Sequence, residues 1–142
     1  MATSAQILSA QSAGNMLRFD LPWLPPAEVR GNSRAHWNKR RLAVAKLRES
    51  GHTHALDTGH EPLGPACIRF EFRHWKAKTD LDNLIIGMKA WIDGLVDAGL
   101  IQDDSGDLLQ HDGATLERVA KGEEGVTVYL WEKSPSESQP EG

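Results

Sequence analysis

The stretch that decides the fold, residues 79–105, reads TDLDNLIIGMKAWIDGLVDAGLIQDDS. Its apolar residues recur at the i, i+3, i+4 spacing of one helix face, which predicts an amphipathic helix over residues 81–99. The apolar positions are Leu81, Leu84, Ile85, Met88, Trp91, Ile92, Leu95 and Val96. Gly99 stands where a C-terminal cap glycine belongs, because glycine adopts the left-handed backbone conformation without strain.

The segments on both sides of this helix predict the remaining elements. Residues 16–23 and 66–75 alternate apolar and polar side chains, as half-buried strands do. Residues 33–56 have helical periodicity, and 114–122 and 125–132 are typical of two final strands. The order β-α-β-α-β-β predicts a mixed α/β domain of the α+β class, with about four strands covered by two helices.

Three residues of the first predicted helix carry specific expectations. Ser33 is the expected N-cap, because its hydroxyl can accept a hydrogen bond from the first helical turn. Gly51 is expected to end or interrupt the helix. Trp37 is expected in the core, with a nucleobase-stacking role as the alternative.

Length and composition favour one domain over residues 16–132, flanked by disordered tails at 1–15 and 133–142. The single cysteine, Cys67, excludes an internal disulfide and a multi-cysteine zinc site. No apolar run reaches the ~20 residues of a membrane span, and the first residues lack the features of a signal peptide. A cytoplasmic protein without a membrane partner is therefore expected.

The net charge of −4 is unevenly distributed along the chain. Residues 1–99 hold 13 Lys and Arg against 10 Asp and Glu, whereas residues 100–142 hold 3 against 10. Seven of the basic residues fall between positions 30 and 48. This cluster is either a solvated helix face or a surface that binds phosphates.

Asp80 and Asp82 lie at the predicted strand-to-helix junction, and two explanations remain open for them. Carboxylates at a helix N-terminus cap free N–H groups, an effect worth about 0.3–1 kcal/mol each. In an extended chain, however, residues i and i+2 project to the same side, so both carboxylates can address one point. If the loop carrying Asp103 and Asp104 returned to the same place, the oxygen-only cluster would suit Mg²⁺ or Mn²⁺.

Residues 79–105 resemble the core motif of the RusA family of Holliday junction resolvases, often carried by phages and prophages. The matching positions are Asp80, Asp82, Asn83, Leu84, Lys89, Asp93, Leu95, Gly99, Asp103, Asp104 and Ser105. The likeness is close over about 27 residues and looser elsewhere. It implies a RusA-like homodimer that cleaves four-way DNA junctions with Mg²⁺, for which Mn²⁺ is a possible substitute.

Carried over by position, the resemblance implies that Asp80, Asp82 and Asp104 are the metal-binding and catalytic acids, and that Lys89 is a catalytic lysine. This chain has about three more residues between Leu84 and Lys89 than the best-known members. In a continuous helix Lys89 would lie two turns, ~10 Å, from Asp82. A surface lysine paired with Asp93 is the alternative.

A further set of residues is expected to contact DNA, because phosphate contacts dominate such affinities. These residues are Arg30, Asn32, Arg34, Lys39, Arg40, Arg41, Arg69, Arg73, Lys76 and Lys78. The apolar stretch 90–101 is expected either in the dimer contact or in the core. No phosphate-binding glycine loop or dinucleotide fingerprint is present, so no small-molecule cofactor is expected.

Three functions follow as hypotheses. The first is a metal-dependent endodeoxyribonuclease that resolves four-way junctions by paired nicks. The second is a non-catalytic protein of the same fold that binds branched DNA. The third is a metal-dependent nuclease that acts on flaps or other branched DNA. Metal dependence separates the second from the other two, and substrate choice separates the first from the third.

Overall fold

The structure, a computed structural model, describes residues 4–10, 14–31, 34, 36–76 and 78–133. Its strands are β1 (Ser4–Ala10), β2 (Gly14–Leu21), β3 (Ala66–His74), β4 (Leu109–Arg118) and β5 (Gly125–Glu132). Its helices are α1 (Trp37–Thr58), α2 (Leu81–Gly87) and α3 (Lys89–Asp97), and a short 3-10 helix spans Ala27–Val29. No helix in these described ranges is long and apolar enough to cross a membrane.

The five strands form one sheet in the order β1-β2-β5-β3-β4. Only β3 and β4 are parallel; the other neighbours are antiparallel. The α+β class is confirmed, and the expected order β-α-β-α-β-β holds from β2 onward, with α2 and α3 in place of the second helix. The sheet has five strands instead of about four, because β1 pairs with β2 along its whole length.

The prediction of a disordered tail over residues 1–15 is therefore wrong for Ser4–Ala10 and for the start of β2. Backbone pairing of a small polar segment with the neighbouring edge of a sheet leaves no strong periodic pattern in sequence. In the expected C-terminal tail, residues 134–142 lie outside the described residues.

Alternation along the strands gives the sheet two different faces. One face is buried and packs against the helices; it includes Phe19, Phe70, Phe72 and Val128, all fully buried. The other face is partly exposed and carries the polar residues that alternate with them. Trp91 of α3 fills the centre of the core and meets Phe19 edge to face at a centroid distance of 5.2 Å.

The predicted second helix is two helices, because it breaks at Met88. Gly87 ends α2 under the loop before α1: an added Cβ there would lie 2.7 Å from Cβ of Pro25 and 3.6 Å from Cγ of Arg30. The two helices thus pack against different neighbours, α2 against this loop and α3 against α1. The apolar side chains of residues 90–101 are mostly buried within this chain, as the core interpretation expected.

Helix α1 begins later than predicted and does not stop at Gly51. His36 is the N-cap, since its Nδ1 accepts a hydrogen bond from the backbone N–H of Asn38 at 3.1 Å. Ser33, the expected N-cap, lies outside the described residues. The helix ends at Gly59, whose φ of 63° is the left-handed cap conformation.

Gly51 lies at the crossing of α1 and α3, opposite Gly94. A Cβ on Gly51 would lie 2.9 Å from the carbonyl carbon of Trp91, and one on Gly94 would lie 2.6 Å from the backbone nitrogen of His52. The two helices therefore approach with backbone against backbone. Around the crossing, the Trp91 indole N–H donates to Nδ1 of the buried His54 at 3.1 Å.

Replacing Gly51 by alanine tests this crossing. Helix propensity alone would make the substitution stabilising by about 1 kcal/mol. We expect instead a loss of about 1–3 kcal/mol in the free energy of unfolding, because the methyl group forces the helices apart. Urea denaturation of the wild type and the variant measures the difference.

Gly106→Ala is the matched control, since nothing lies within 4 Å of the added Cβ. Its free energy of unfolding should stay within about 0.5 kcal/mol of the wild type. A Gly51→Ala protein as stable as this control would contradict the close crossing.

Candidate active site

Asp80 is the N-cap of α2. Its Oδ1 accepts from the backbone N–H of Asp82 at 3.0 Å, and its Oδ2 accepts from the side-chain amide of Asn83 at 3.2 Å. The extended backbone ends at Asp80, with φ −84° and ψ 112°, and Asp82 is already helical. The structure confirms that Asp80 caps the helix. Because Leu81 and Asp82 are already helical, residues 80–82 are not the extended segment in which both carboxylates would project to one point.

Asp82 and Thr79 supply oxygen atoms beside this cap. The Asp82 side chain is exposed in the first turn of α2, and among the described residues its carboxylate has no hydrogen bond or ion pair. The Thr79 hydroxyl is buried and lacks a hydrogen-bond partner in the same part of the chain. An unsatisfied buried hydroxyl costs about 1–3 kcal/mol, which a ligand bonded to it would recover. The exposed Asp82 carboxylate is open to a ligand.

Lys89 is the first residue of α3 and bridges two carboxylates. Its Nζ lies 2.5 Å from Oδ2 of Asp104 and 3.1 Å from Oδ1 of Asp93. The expected i, i+4 pair with Asp93 is confirmed. Lys89 also reaches the second acidic segment, because the loop after α3 returns to the start of that helix.

This ion pair displaces the pKa values of both partners. The hydrogen bond from Lys89 holds the pKa of the Asp104 carboxyl below its usual 3.8. The same hydrogen bond raises the pKa of the Lys89 amine above its usual 10.5. Asp104 is further held by its neighbour, since its backbone N–H donates to Oδ1 of Asp103 at 2.8 Å. Both side chains are therefore charged at neutral pH.

The two acidic segments do not meet at one cluster. Within the described ranges, no group of three or more His, Cys, Asp or Glu side chains is arranged to hold a metal ion. Helix α2, seven residues and ~10 Å long, separates the Asp80–Asp82 end from Lys89, and Asp104 joins Lys89 instead. By donor chemistry, Asp80 and Asp82 suit a hard divalent cation, whereas Asp104 does not join them in this arrangement.

A cavity of about 490 Å³ opens beside Lys89. Its floor is apolar and comes from α1, α2, α3 and the 3-10 helix. The polar residues around it are Arg40, Lys89, Asp93, Asp104 and His111. Arg40 belongs to the basic segment at the start of α1, so the cavity connects that segment to the Lys89–Asp104 pair. Sequence reasoning did not find His111, because its place beside Lys89 depends on the parallel pairing of β4 with β3.

Eight of the ten expected DNA-contacting residues fall into three regions. Arg34, Lys39, Arg40 and Arg41 are exposed at the start of α1, and Lys76 and Lys78 are exposed between β3 and α2. Arg69 and Arg73 lie on the polar sheet face, away from the helices.

Arg30 is half-buried: its Nε donates to the carbonyl of Pro25 at 2.8 Å, and burial lowers its pKa. Asn32 lies outside the described residues.

On the polar sheet face, the arginines take part in a network across the strands. Arg73 donates to the hydroxyl of Thr127 at 3.0 Å, and Thr127 donates to Asp20 at 3.0 Å. Arg69 lies 3.6 Å from a carboxylate oxygen of Glu71. The structure thus separates Arg69 and Arg73 from the aspartates and Lys89, which lie among the helices.

Trp37, expected in the core, is 65% exposed. The prediction was wrong because α1 starts at Trp37, before the helix reaches the residues that face α3. Spacing within a predicted helix does not show where along its length the packing begins.

Neither models of known protein families nor curated protein sequences give a match to this chain. The resemblance to the RusA family therefore stays a hypothesis that rests on the motif of residues 79–105.

The Lys89–Asp104 pair predicts a change in titration. In Lys89→Met the pKa of Asp104 should rise toward 3.8, because its largest stabilising hydrogen bond is lost. Carboxyl carbon NMR across an acid titration measures this pKa. Lys78→Met is the control, since Lys78 is an exposed lysine without an ion pair among the described residues. An Asp104 that titrates at the same pH in both variants would contradict the pairing.

The same pair sets a pH window for stability. The pKa of Asp104 is lowered, so its contribution is present above 3.8 and is lost as the pH falls through the folded value. The pKa of Lys89 is raised, so its contribution persists up to 10.5 and is lost as the pH rises through the higher folded value. We expect Lys89→Met to cost about 0.2–1 kcal/mol at neutral pH, because the pair is largely exposed.

Proposed function

We propose that the protein is a cytoplasmic, metal-dependent, structure-selective endodeoxyribonuclease that resolves four-way DNA junctions by paired nicks. The observation that carries the proposal is the cavity shared by Arg40, Lys89 and Asp104. It joins an exposed basic segment, suited to DNA phosphates, to a lysine held among carboxylates. The motif resemblance of residues 79–105 supports the same reading.

Asp80 and Asp82 are the residues that would hold a divalent cation at the start of α2. Their oxygens, with the Thr79 hydroxyl, which lacks a hydrogen-bond partner among the described residues, are the ligand type that Mg²⁺ and Mn²⁺ prefer. When bound, such an ion supplies Lewis-acid activation for phosphodiester hydrolysis. Asp104 can serve as a further ligand only if its ion pair with Lys89 opens.

Lys89 contributes positive charge beside the cavity. Its ammonium group is neutralised by Asp93 and Asp104 in the absence of DNA. A phosphate entering the cavity would compete with these carboxylates for the ammonium group, and release of Asp104 would leave that acid free. Exchange of one anionic partner for another is consistent with the exposure of the lysine side chain, 64%.

A homodimer completes the proposal. Resolving a four-way junction requires one cut in each of two opposing strands. A two-fold symmetric dimer presents two identical active sites to those strands. Branched DNA is then the partner, and paired nicks are the expected product.

A second candidate function, a non-catalytic protein that binds branched DNA, is favoured by one observation. Asp80 is engaged as a helix cap and Asp104 in an ion pair, so both acids have a structural use without a metal. The basic start of α1 would serve such a protein equally well.

Cleavage of a labelled four-way junction separates these candidates. Linear duplex and flap substrates run beside it, each with Mg²⁺, Mn²⁺ or EDTA. We expect paired, metal-dependent nicks in the junction. Asp82→Asn should lower the rate by at least about 100-fold, since loss of a residue that merely supports a metal ligand already costs about 10–100-fold.

Asp57→Asn is the matched control, an exposed carboxylate removed at the far end of α1. It should cut at the wild-type rate. Tight junction binding without nicks in either metal would establish the binding protein instead, and preferred cutting of the flap would establish a nuclease for other branched DNA.

The salt dependence of junction binding tests which surface meets DNA. Lys39→Gln should lower affinity and reduce the slope of log K against log salt by about 0.9, the value for one lost phosphate contact. Arg69→Gln, on the polar sheet face, should leave the slope unchanged. Binding measured in EDTA avoids cleavage. If Arg69→Gln reduced the slope and Lys39→Gln did not, the DNA would bind the polar sheet face instead.

A further inference from the structure

Trp37 is the most exposed large hydrophobic residue in the described part of the chain. Its exposure is 65%, against 58% for Leu42 and Leu56 and 51% for Ile86. Tryptophan carries the largest aromatic surface of any side chain, so leaving it in water forgoes more burial free energy than at the other three positions. Among the described residues, no packing role explains its place at the first position of α1.

The side chains beside Trp37 hold its ring in place. The His36 imidazole stacks on it at a centroid distance of 5.9 Å and an interplanar angle of 28°. His36 is itself fixed by the hydrogen bond from the Asn38 N–H. The Arg41 guanidinium lies 5.8 Å from the centre of the indole and 3.5 Å from the Asn38 side-chain oxygen. The ring is thus oriented by its neighbours while most of its surface stays open.

Four basic residues lie within four positions of Trp37 in the chain, and one of them, Arg41, lies over its ring. Arg34, Lys39, Arg40 and Arg41 are all exposed. Among the described residues none of the four is in an ion pair; Arg40 donates to a backbone carbonyl, that of Glu28, at 3.1 Å. Farther along the same helix, Arg48 is paired with Asp97 through two hydrogen bonds. The cations near Trp37 are therefore available to an anionic ligand.

We propose that Trp37 is a stacking platform for an unpaired nucleobase, with the flanking phosphates held by Arg34, Lys39 and Arg41. An open aromatic ring among unpaired cations is the arrangement by which proteins hold single-stranded nucleic acid. The proposal rests on the proposed function for the choice of DNA, and it deepens that function by naming the structural feature of the DNA that is recognised. Bases within a duplex are stacked and paired, so the platform selects single strands, flaps and opened branch points.

Arg40 connects this platform to the candidate active site. It lies three residues after Trp37 on α1, less than one helical turn, and lines the cavity that also contains Lys89 and Asp104. A strand whose unpaired base rests on Trp37 therefore has its next phosphates directed along Arg40 toward the cavity. The platform is a specificity-determining element for branched over linear DNA.

The alternative partner for the exposed Trp37 ring is a second copy of this chain, and the basic residues near the ring disfavour that contact. In a two-fold symmetric contact centred on Trp37, the same surface meets itself. Arg34, Lys39 and Arg41 would then face their own counterparts, and like charges across an interface are unfavourable. DNA phosphates supply the complementary sign.

The test is binding of a short single-stranded DNA that carries a fluorescent adenine analogue, measured in EDTA so that no cleavage occurs. The wild type should quench the analogue, because an aromatic ring stacks on it. Trp37→Ala should abolish the quenching and weaken binding by roughly 5- to 150-fold, the fold-change for loss of one stacked base. Trp37→Phe keeps a ring and should retain most of both signals.

Leu56→Ala is the matched control, since it removes a similarly exposed apolar side chain from the opposite end of α1. It should bind and quench as the wild type does. Trp37→Ala with unchanged affinity and quenching would overturn the proposal, as would a wild type that binds no single strand. A change in sedimentation of Trp37→Ala without a change in DNA binding would assign the ring to a contact between copies and overturn it as well.

The outcomes also separate this inference from the proposed function. Trp37-dependent binding in a protein that cuts nothing would leave the platform standing and remove the nuclease. Normal cleavage of junctions by Trp37→Ala, with unchanged single-strand binding, would remove the platform alone.

Discussion

The close approach of α1 and α3 at Gly51 and Gly94 is the constraint on which the rest of the structure depends. Backbone lies against backbone there, closer than any side chain would permit. This contact lets Trp91 reach the middle of the core, where it meets Phe19 and the buried His54. Burial lowers the pKa of His54, which keeps its ring neutral and able to accept from the indole.

The position of α3 then determines the candidate active site. Because α3 starts at Lys89, directly after the break at Met88, the lysine stands at a helix end instead of in the middle of a longer helix. The loop after α3 runs back beside that end and brings Asp104 to the lysine. A continuous helix would have kept α2 and α3 on one axis. The break allows α2 to pack beneath the loop of Pro25 and Arg30 instead.

The sheet divides the basic residues between two surfaces with different chemistry. On the polar face, Arg18 and Arg73 take part in a network with Asp20 and Thr127, so their charge is used within the protein. On the helix side, the cations at the start of α1 have no carboxylate partners among the described residues. Exposed cations without such partners bind phosphates more readily, since no internal ion pair must first be broken. This difference supports the start of α1 as the DNA-facing surface.

The sequence by itself determined the α+β class and the order of four strands and two helical regions, because periodicity is a local property. It offered the helix cap as one of two explanations for Asp80. For Lys89 it offered two alternatives, a catalytic lysine and a surface lysine paired with Asp93. The pair with Asp93 follows from helical spacing alone. Tertiary structure decided the rest: the pairing of β1, the break at Met88, the exposure of Trp37 and the contact of Lys89 with Asp104. Each of these depends on which distant backbone or side chain lies opposite, and no local pattern encodes that.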